Sequence, residues 1–464
     1  MKPLSYFSHY KSKNYLHLDK KVSIRHVYEQ IQNPELVGKH AFLPFIHYSL
    51  NLEKYTFKEG IDRDRLKEFK ELPNYNQNDH KCKKPKKREI NYASHYDSYI
   101  YKYYGELLNE KYNEFMISQG IDECAIAYRN NKKGKNNIHF AKEVFKFILE
   151  RDEAIVIALD FSSFFDNISH KSLKDTMKQL LEVEELPRDI YNVFKSITKY
   201  RSIEKEDLDK YLVEKYGKKE LGKLIDEKKI HSYMDIKEFR HLLKTKRLKV
   251  NPLNSSKVGI PQGSGISAVC SNIRLINFDK EMYTWTESLN GIYRRYCDDL
   301  IWVIPKTEDL SIEKIESEIY KKIDSYGDLI LQKEKTIILS YENNIMLNRN
   351  YRKSHLDYLG FLFDGSTIKI REKSLFKYFS RAYKKVRVVA REQIKHNRNA
   401  YMKDVYSLYT HLGFNYKGRG NFITYALKAQ KLMEDLPVNV QIKNQVKRHW
   451  KKIHKKLDYY KSNF

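Results

Sequence analysis

The chain of 464 residues carries 87 Lys or Arg against 60 Asp or Glu, a formal net charge of +27. That length supports a large core divided into two or three subdomains, and the positive surplus favours a polyanion as partner, nucleic acid first. The longest apolar runs, such as AIVIAL at 154–159, are far too short to cross a bilayer, which excludes a membrane-spanning role.

Residues 1–80 mix short helical patterns with polar turns and carry no legible motif. The opening MKPLSYFSHYKSKNY is polar and aromatic, unlike a hydrophobic leader. KCKKPKKREI at 81–90 reads as a basic hairpin or loop. Tyr99, Tyr103, Leu107 and Leu108 fall on one face of a helix over 96–117. Ala141, Val144, Phe145 and Ile148 do the same for a helix from Asn137 to Leu149. In AIVIALDFSSFFDNISH, 154–170, a short buried strand ends on Asp160. Residues 171–250 are highly charged and helical in pattern, an insertion between two pieces of one core. KVGIPQGSGISAVCSNI at 257–273 reads as a strand end, a Gly-rich turn and a helix start capped by Ser267.

IYRRYCDDLIWVIP at 292–305 reads as a hairpin, followed by a helix through Ile312, Ile315, Ile319 and Ile323 and a strand over 328–340. From 371 to 398, ten Lys or Arg and two acids surround a stripe of Leu375, Phe379, Ala382, Val386 and Val389. The tail repeats the theme, with Ile442, Val446, Ile453 and Leu457 among Lys443, Lys447, Arg448, Lys451, Lys452, Lys455 and Lys456. One such helix alone would read as an ordinary solvated face or a membrane-surface helix; two in succession fit a nucleic-acid clamp. Cys82, Cys124, Cys270 and Cys297 make no CxxC pair and fit no zinc spacing, so a reducing, cytoplasmic setting is expected. With no internal repeat and no long Pro/Gly/Ser linker, the chain is expected to fold as one multi-lobed unit.

Asp298 and Asp299 stand side by side before the apolar run Leu300 to Ile304. Adjacent like charges at the mouth of a core are costly unless a positive charge sits on them. Asp160 also ends an apolar strand; if the two strands are neighbours in one sheet, the acids meet at its edge. Such a pair suits two Mg²⁺ ions, with Mn²⁺ as a substitute, because these hard cations take oxygen ligands and keep positions open for phosphates. Taken singly, each acid would read as a turn residue or an N-cap.

The pieces together carry a resemblance. DFSSFFD at 160–166, GIPQG at 259–263 with Ser267 and Asn272 after it, and YCDD at 296–299 resemble reverse-transcriptase motifs A, B and C in order. LQKEKT at 331–336 and YLGF at 358–361 look like the two motifs that follow, so the likeness runs from KKPKKREI, at 83, to residue 361. The finer likeness is to bacterial reverse transcriptases of the unknown-group, abortive-infection and defence-associated kind, in GIPQGSGISAVCSN with the later FD at 278–279, IREKSLFKYFSRAYKK and NFITYALKAQKL. The NAxxH and VTG signatures of retron enzymes are absent, and the residues after YLGF hold no RNase H carboxylate cluster.

That resemblance implies an α+β right-hand polymerase: an N-terminal extension 1–80, fingers 81–150, a ferredoxin-like palm 151–365 with its insertion 171–250, and a basic helical thumb and tail 366–464. It implies RNA-directed DNA synthesis with two Mg²⁺ ions, an RNA template, dNTPs and a DNA product, in antiphage defence with a dedicated non-coding RNA; it leaves a homo-oligomer open. Asp160 and Asp298 would bind metal with the carbonyl of Phe161, and Asp299 would support them by charge. Phe165 would pack under the sugar and reject a 2′-hydroxyl, with Phe164 and Phe165 otherwise core residues. Gln262 would lie against nucleotide and template. Arg88, with Lys84, Lys86 and Lys87, would grip the triphosphate. Lys335 would protonate pyrophosphate. Arg129 in AYR, and Lys384, Lys385, Arg387, Lys447 and Arg448 behind it, would contact the template. The rival readings are a retron or group II intron type of mobile-element enzyme, untemplated or protein-primed synthesis, and an RNA-binding scaffold without catalysis.

Overall fold

The computed structural model describes residues 1–11, 13–57, 81–396, 401–409 and 420–463, which form helices and three sheets, as an α+β chain should. Among the described residues no helix is long and apolar enough to cross a membrane.

β1 (Phe45–Phe57) and β2 (Lys81–Tyr92) pair antiparallel over their whole length. KCKKPKKREI is thus one arm of a long hairpin whose other arm comes from the first eighty residues. After β3 (Glu153–Asp160), the short β4 (Ser202–Glu204) joins the free edge of β1 in parallel. The segment 171–250 divides accordingly. Its first two helices, His170–Leu181 and Arg188–Thr198, bury Leu173, Met177, Val193 and Ile197 in the main core, whereas Leu208, Leu212, Phe239 and Leu242 make a small separate core against β1 and β4.

The central sheet adds β5 (Ile292–Tyr296), β6 (Asp299–Pro305), β7 (Ile337–Glu342) and β8 (Ile345–Asn348) to β3, in the order β5-β6-β3-β7-β8, with every pair antiparallel. Helices lie between β3 and β5 and, as Ile312–Asp324, between β6 and β7, so the first four strands follow the βαββαβ, ferredoxin-like order. The continuous apolar run of β3 follows from its position. Ile155, Ile157 and Leu159 enter one core, and Ala154 and Val156 enter another on the opposite face. β6 splits likewise, with Leu300, Trp302 and Ile304 on one side and Ile301 and Val303 on the other. A sheet covered on both faces needs no polar alternation.

The expected strand over 328–340 forms only at 337–342; Lys333–Lys335 is a 3-10 turn instead. That turn is tied down when the Gln332 amide donates to the Asp160 carbonyl (2.8 Å) and the Lys335 amide to Gln332 (2.9 Å). The expected strand end near 257 is a single bridge, Ser169 to Val258. Ser267 does not cap its helix either: it is the first helical residue, and its hydroxyl donates to the Pro261 carbonyl at 2.7 Å.

β9 (Leu356–Tyr358), β10 (Phe361–Phe363), β11 (Thr367–Ile370) and β12 (Asn439–Val440) make the third sheet. YLGF is its tight two-residue turn, with Leu359 (φ 47°) and Gly360 (φ 98°) both left-handed, as such hairpins need. The basic helix Glu372–Lys395 packs on the tail helix His449–Ser462. All four expected tail residues, Ile442, Val446, Ile453 and Leu457, are buried, and full burial contributes about 1.5–3 kcal/mol per large aliphatic side chain.

Candidate active site

The register of β3 against β6 pairs Asp160 directly with Asp299. Directly opposed residues share a face, with Cβ atoms about 4.5–5.5 Å apart. Asp298 belongs to the two-residue loop that joins β5 to β6, and its carbonyl accepts the Phe161 amide at 3.2 Å. Cys297, the other loop residue, has φ 62°, where a hairpin would favour glycine. Two strand ends far apart in sequence thus meet as neighbours; the residue directly opposite Asp160 is Asp299, with Asp298 next to it on the loop, where the sequence had paired Asp160 with Asp298.

The electrostatics follow from that crowding. The Asp299 carboxyl is pushed up to about 7, first by the protein packed around it and then by the charges of Asp298 and Asp160; Lys335 and Arg371 pull the other way. The residue keeps an exposed surface, so water screens part of the effect. Lys335 forms an ion pair with Asp160, delivered by the turn that replaced the expected strand.

The oxygens that could hold a divalent cation are the carboxylates of Asp160, Asp298 and Asp299 and the carbonyl of Phe161. Among the described residues no group of three or more His, Cys, Asp or Glu makes a ready cage. The donor set fits Mg²⁺ nonetheless, because Mg²⁺ uses one or two carboxylates and leaves the remaining positions to water and phosphate.

Phe164 and Phe165 separate as packing demands. Phe164 is buried, with its ring 5.4 Å from that of Phe161, whereas Phe165 is half-buried at the edge of the core. The Phe165 carbonyl accepts the Ile260 amide at 2.9 Å, which ties the Asp160 segment to the Gly-rich turn. In that turn the Gln262 carbonyl accepts the Asn91 amide of β2 at 2.8 Å. Gly263 has φ 110°, and a Cβ there would lie 2.8 Å from the Asn91 carbonyl oxygen and 3.3 Å from Ile90. Glycine is required by this close approach. Arg88 is exposed and lies two residues before Ile90, so it points to the same side of β2. Lys84 and Lys86 are on the same strand, but their side chains lie outside the described residues.

Arg129 is corrected by the structure. Its guanidinium is buried and spent on the Asn113 side chain (2.6 Å), the Asp122 and Ala125 carbonyls (both 3.0 Å) and the Asp122 carboxylate, over the Tyr112 ring. It braces the segment 109–130, with four of its five N–H donors spent inside the protein. Lys384 and Arg387 are exposed on the helix Glu372–Lys395, Lys385 pairs with Asp404 at 3.2 Å, and Lys447 and Arg448 are exposed before the tail helix.

What the motifs did not reveal is the support under the loop. Arg295 is fully buried. It donates through Nε to Asp279 (2.8 Å), makes a second bond to the same carboxylate (2.5 Å), and reaches Asn272 (3.0 Å) and the Cys297 carbonyl (3.1 Å). Tyr293 adds a bond to Asp279 at 2.9 Å. Burial opposes the Arg295 charge, but the Asp279 carboxylate overcomes it and holds the group cationic. The available signal was the doubled arginine of IYRRY, just before the carboxylate loop, together with FD at 278–279.

No protein-family model matches the chain, and no curated protein matches it. Among solved structures, apo telomerase from Candida tropicalis is 13% identical over 81% of this chain and 62% of that chain, with a TM-score of 0.42. A form truncated from its C-terminal domain is 11% identical over 60% and 52%, with a TM-score of 0.41. Telomerase from Candida albicans with a TWJ fragment of telomeric RNA is 12% identical over 77% and 50%, with a TM-score of 0.33. The chain spans about half to three-fifths of the length of these structures. Likenesses this remote add nothing to the reading of the site, which stands on its own residues.

Proposed function

We propose that the chain is an RNA-directed DNA polymerase that adds deoxynucleotides to a 3′-hydroxyl. The observation that carries this reading is the cross-strand pairing of Asp160 with Asp299, with Asp298 on the adjoining loop. Two Mg²⁺ ions held by Asp160, Asp298 and the Phe161 carbonyl would lower the pKa of the attacking hydroxyl and stabilise the departing pyrophosphate. Asp299 would support the cluster by charge once a divalent cation offsets the crowding that raises its pKa, and Phe165, half-buried beside the Gly-rich turn, would meet the sugar. Arg88, exposed on β2, would grip the triphosphate, and Gln262, in the turn bonded to the same strand, would lie against the nucleotide. In polymerase terms the proposed fingers are 81–150 with β1 joined to them, the palm 151–365, and the thumb and tail 366–464. The basic helix Glu372–Lys395 would follow the nucleic-acid backbone, so binding should weaken steeply with salt. The proposed setting, by resemblance of motif, is bacterial antiphage defence with a dedicated non-coding RNA as template.

The test is to purify the protein with its co-expressed RNA, supply labelled dNTPs and Mg²⁺, and sequence the product. Incorporation that Asp298→Asn abolishes supports the reading; none above that control sinks it. Ribonucleotides used as readily as deoxynucleotides would remove the role given to Phe165.

A further inference from the structure

Tyr128 is held in a conformation that its side chain does not favour. Its φ is 60°, in the left-handed region where glycine or asparagine would be easier, and the residue is 50% exposed. The backbone around it is pinned on every side. Asn272 donates to the Ala127 carbonyl at 2.9 Å, Asn109 donates to the Tyr128 carbonyl at 2.6 Å, and Arg129 is locked by its buried bonds. Upstream, the helix His95–Ser118 ends in a Schellman turn, with Ile121 bonded to the Met116 carbonyl and Gly120 to that of Ile117, both at 3.0 Å. The segment then docks on β5 through Ala125 and Arg295. Ile126 donates to the Arg295 carbonyl at 3.0 Å and Arg295 to that of Cys124 at 2.7 Å, so Tyr128 follows directly on a stretch clamped to the strand that leads into the Asp298 loop.

The same Asn272 that holds Ala127 also accepts from Arg295, so one buried network positions both Tyr128 and the carboxylate loop. An aromatic residue, strained in backbone, half exposed and linked through Asn272 and Arg295 to the loop that carries Asp298, belongs to none of the three hydrophobic cores. Strain kept at such a place points to a role outside the fold itself.

We propose that Tyr128 is a fixed aromatic platform on which a nucleic-acid base stacks as the strand passes the Asp160, Asp298 and Asp299 cluster. It is a positioning residue: it sets which nucleotide stands over the carboxylates and leaves the chemistry to them. This rests on the polymerase reading for its substrate, though a base bound there would stack whether or not it were copied. Stacking tolerates any base, because each has a π face.

The experiment uses the full chain and a synthetic RNA template annealed to a DNA primer, with 2-aminopurine placed at one template position at a time. Tyr128→Phe keeps the ring; Tyr128→Gly removes both ring and backbone strain and so should fold at least as well, as thermal unfolding will report. In the wild type, fluorescence should be quenched at one position near the primer end. Tyr128→Phe should retain that quench. Tyr128→Gly should lose it and bind the primer–template about 5- to 150-fold more weakly, with KM moving more than kcat. Unchanged quenching and KM in Tyr128→Gly would overturn the proposal, and so would equal loss in Tyr128→Phe, which would assign the effect to the hydroxyl. If the wild type extends no primer, the polymerase reading fails; quenching that still depends on the ring would leave the platform standing, and quenching indifferent to it would overturn both.

Discussion

Asp160 and Asp299 face each other across β3 and β6 as a directly opposed pair of like charge. Such pairs destabilise a sheet unless a cation intervenes. The consequence is a pH signature. Asp299 is raised to about 7 from an ordinary value near 4, so the folded state binds more protons than the unfolded state between those limits. Its contribution to stability is therefore greatest at the acid end and is lost as pH rises from about 4 through 7. Without divalent ions, wild type should lose more thermal stability than Asp299→Asn between pH 5 and 8, and Mg²⁺ should restore the difference at pH 8. Parallel curves for the two proteins by circular dichroism would contradict this.

Lys335 holds Asp160 by an ion pair at the edge of the same cluster. A cation binding there must displace the ammonium. Lys335→Ala should lower the Mg²⁺ concentration for half-maximal incorporation by about 2- to 5-fold, the range of a partly exposed ion pair. Turnover at saturating Mg²⁺ should fall if the lysine also serves the leaving pyrophosphate. A higher Mg²⁺ requirement in the variant would rule out the competition.

Arg295 and Asp279 are both fully buried, so neither can lose its partner cheaply. Arg295→Met alone should destabilise by about 3–5 kcal/mol, because it strands the Asp279 carboxylate in the core. Adding Asp279→Leu should recover much of that loss. Urea unfolding of the two singles and the double gives the coupling; a double as costly as the sum would show that the pair does not act as a unit.

Gly263→Ala should destabilise by about 1–3 kcal/mol, since the backbone is left-handed and the new methyl would strike the Asn91 carbonyl. Gly222→Ala is the control. It lies in the helix Lys218–Asp226 with nothing within 4 Å, and should be neutral or stabilising by about 0.4–1 kcal/mol. Thermal melts that rank the two in the opposite order would remove the close approach as the reason for glycine at 263.

Sequence by itself determined the elements whose periodicity is strong, and the residues that tertiary contact merely confirmed. The helices at 95–118 and 137–149, β3 ending on Asp160, the β5–β6 hairpin and the four buried tail positions all follow from local apolar spacing. Local spacing could not say that β1 lies beside β2, that 328–336 turns instead of extending, or that Arg129 is consumed inside the protein. Those outcomes depend on what arrives from elsewhere in the chain: Asp160 drawing Lys335 across, Asn113 and Asp122 closing on Arg129, and Asn272 and Asp279 meeting Arg295. A charged side chain reads the same in sequence whether it meets water or a buried partner, and only the folded chain supplies the partner.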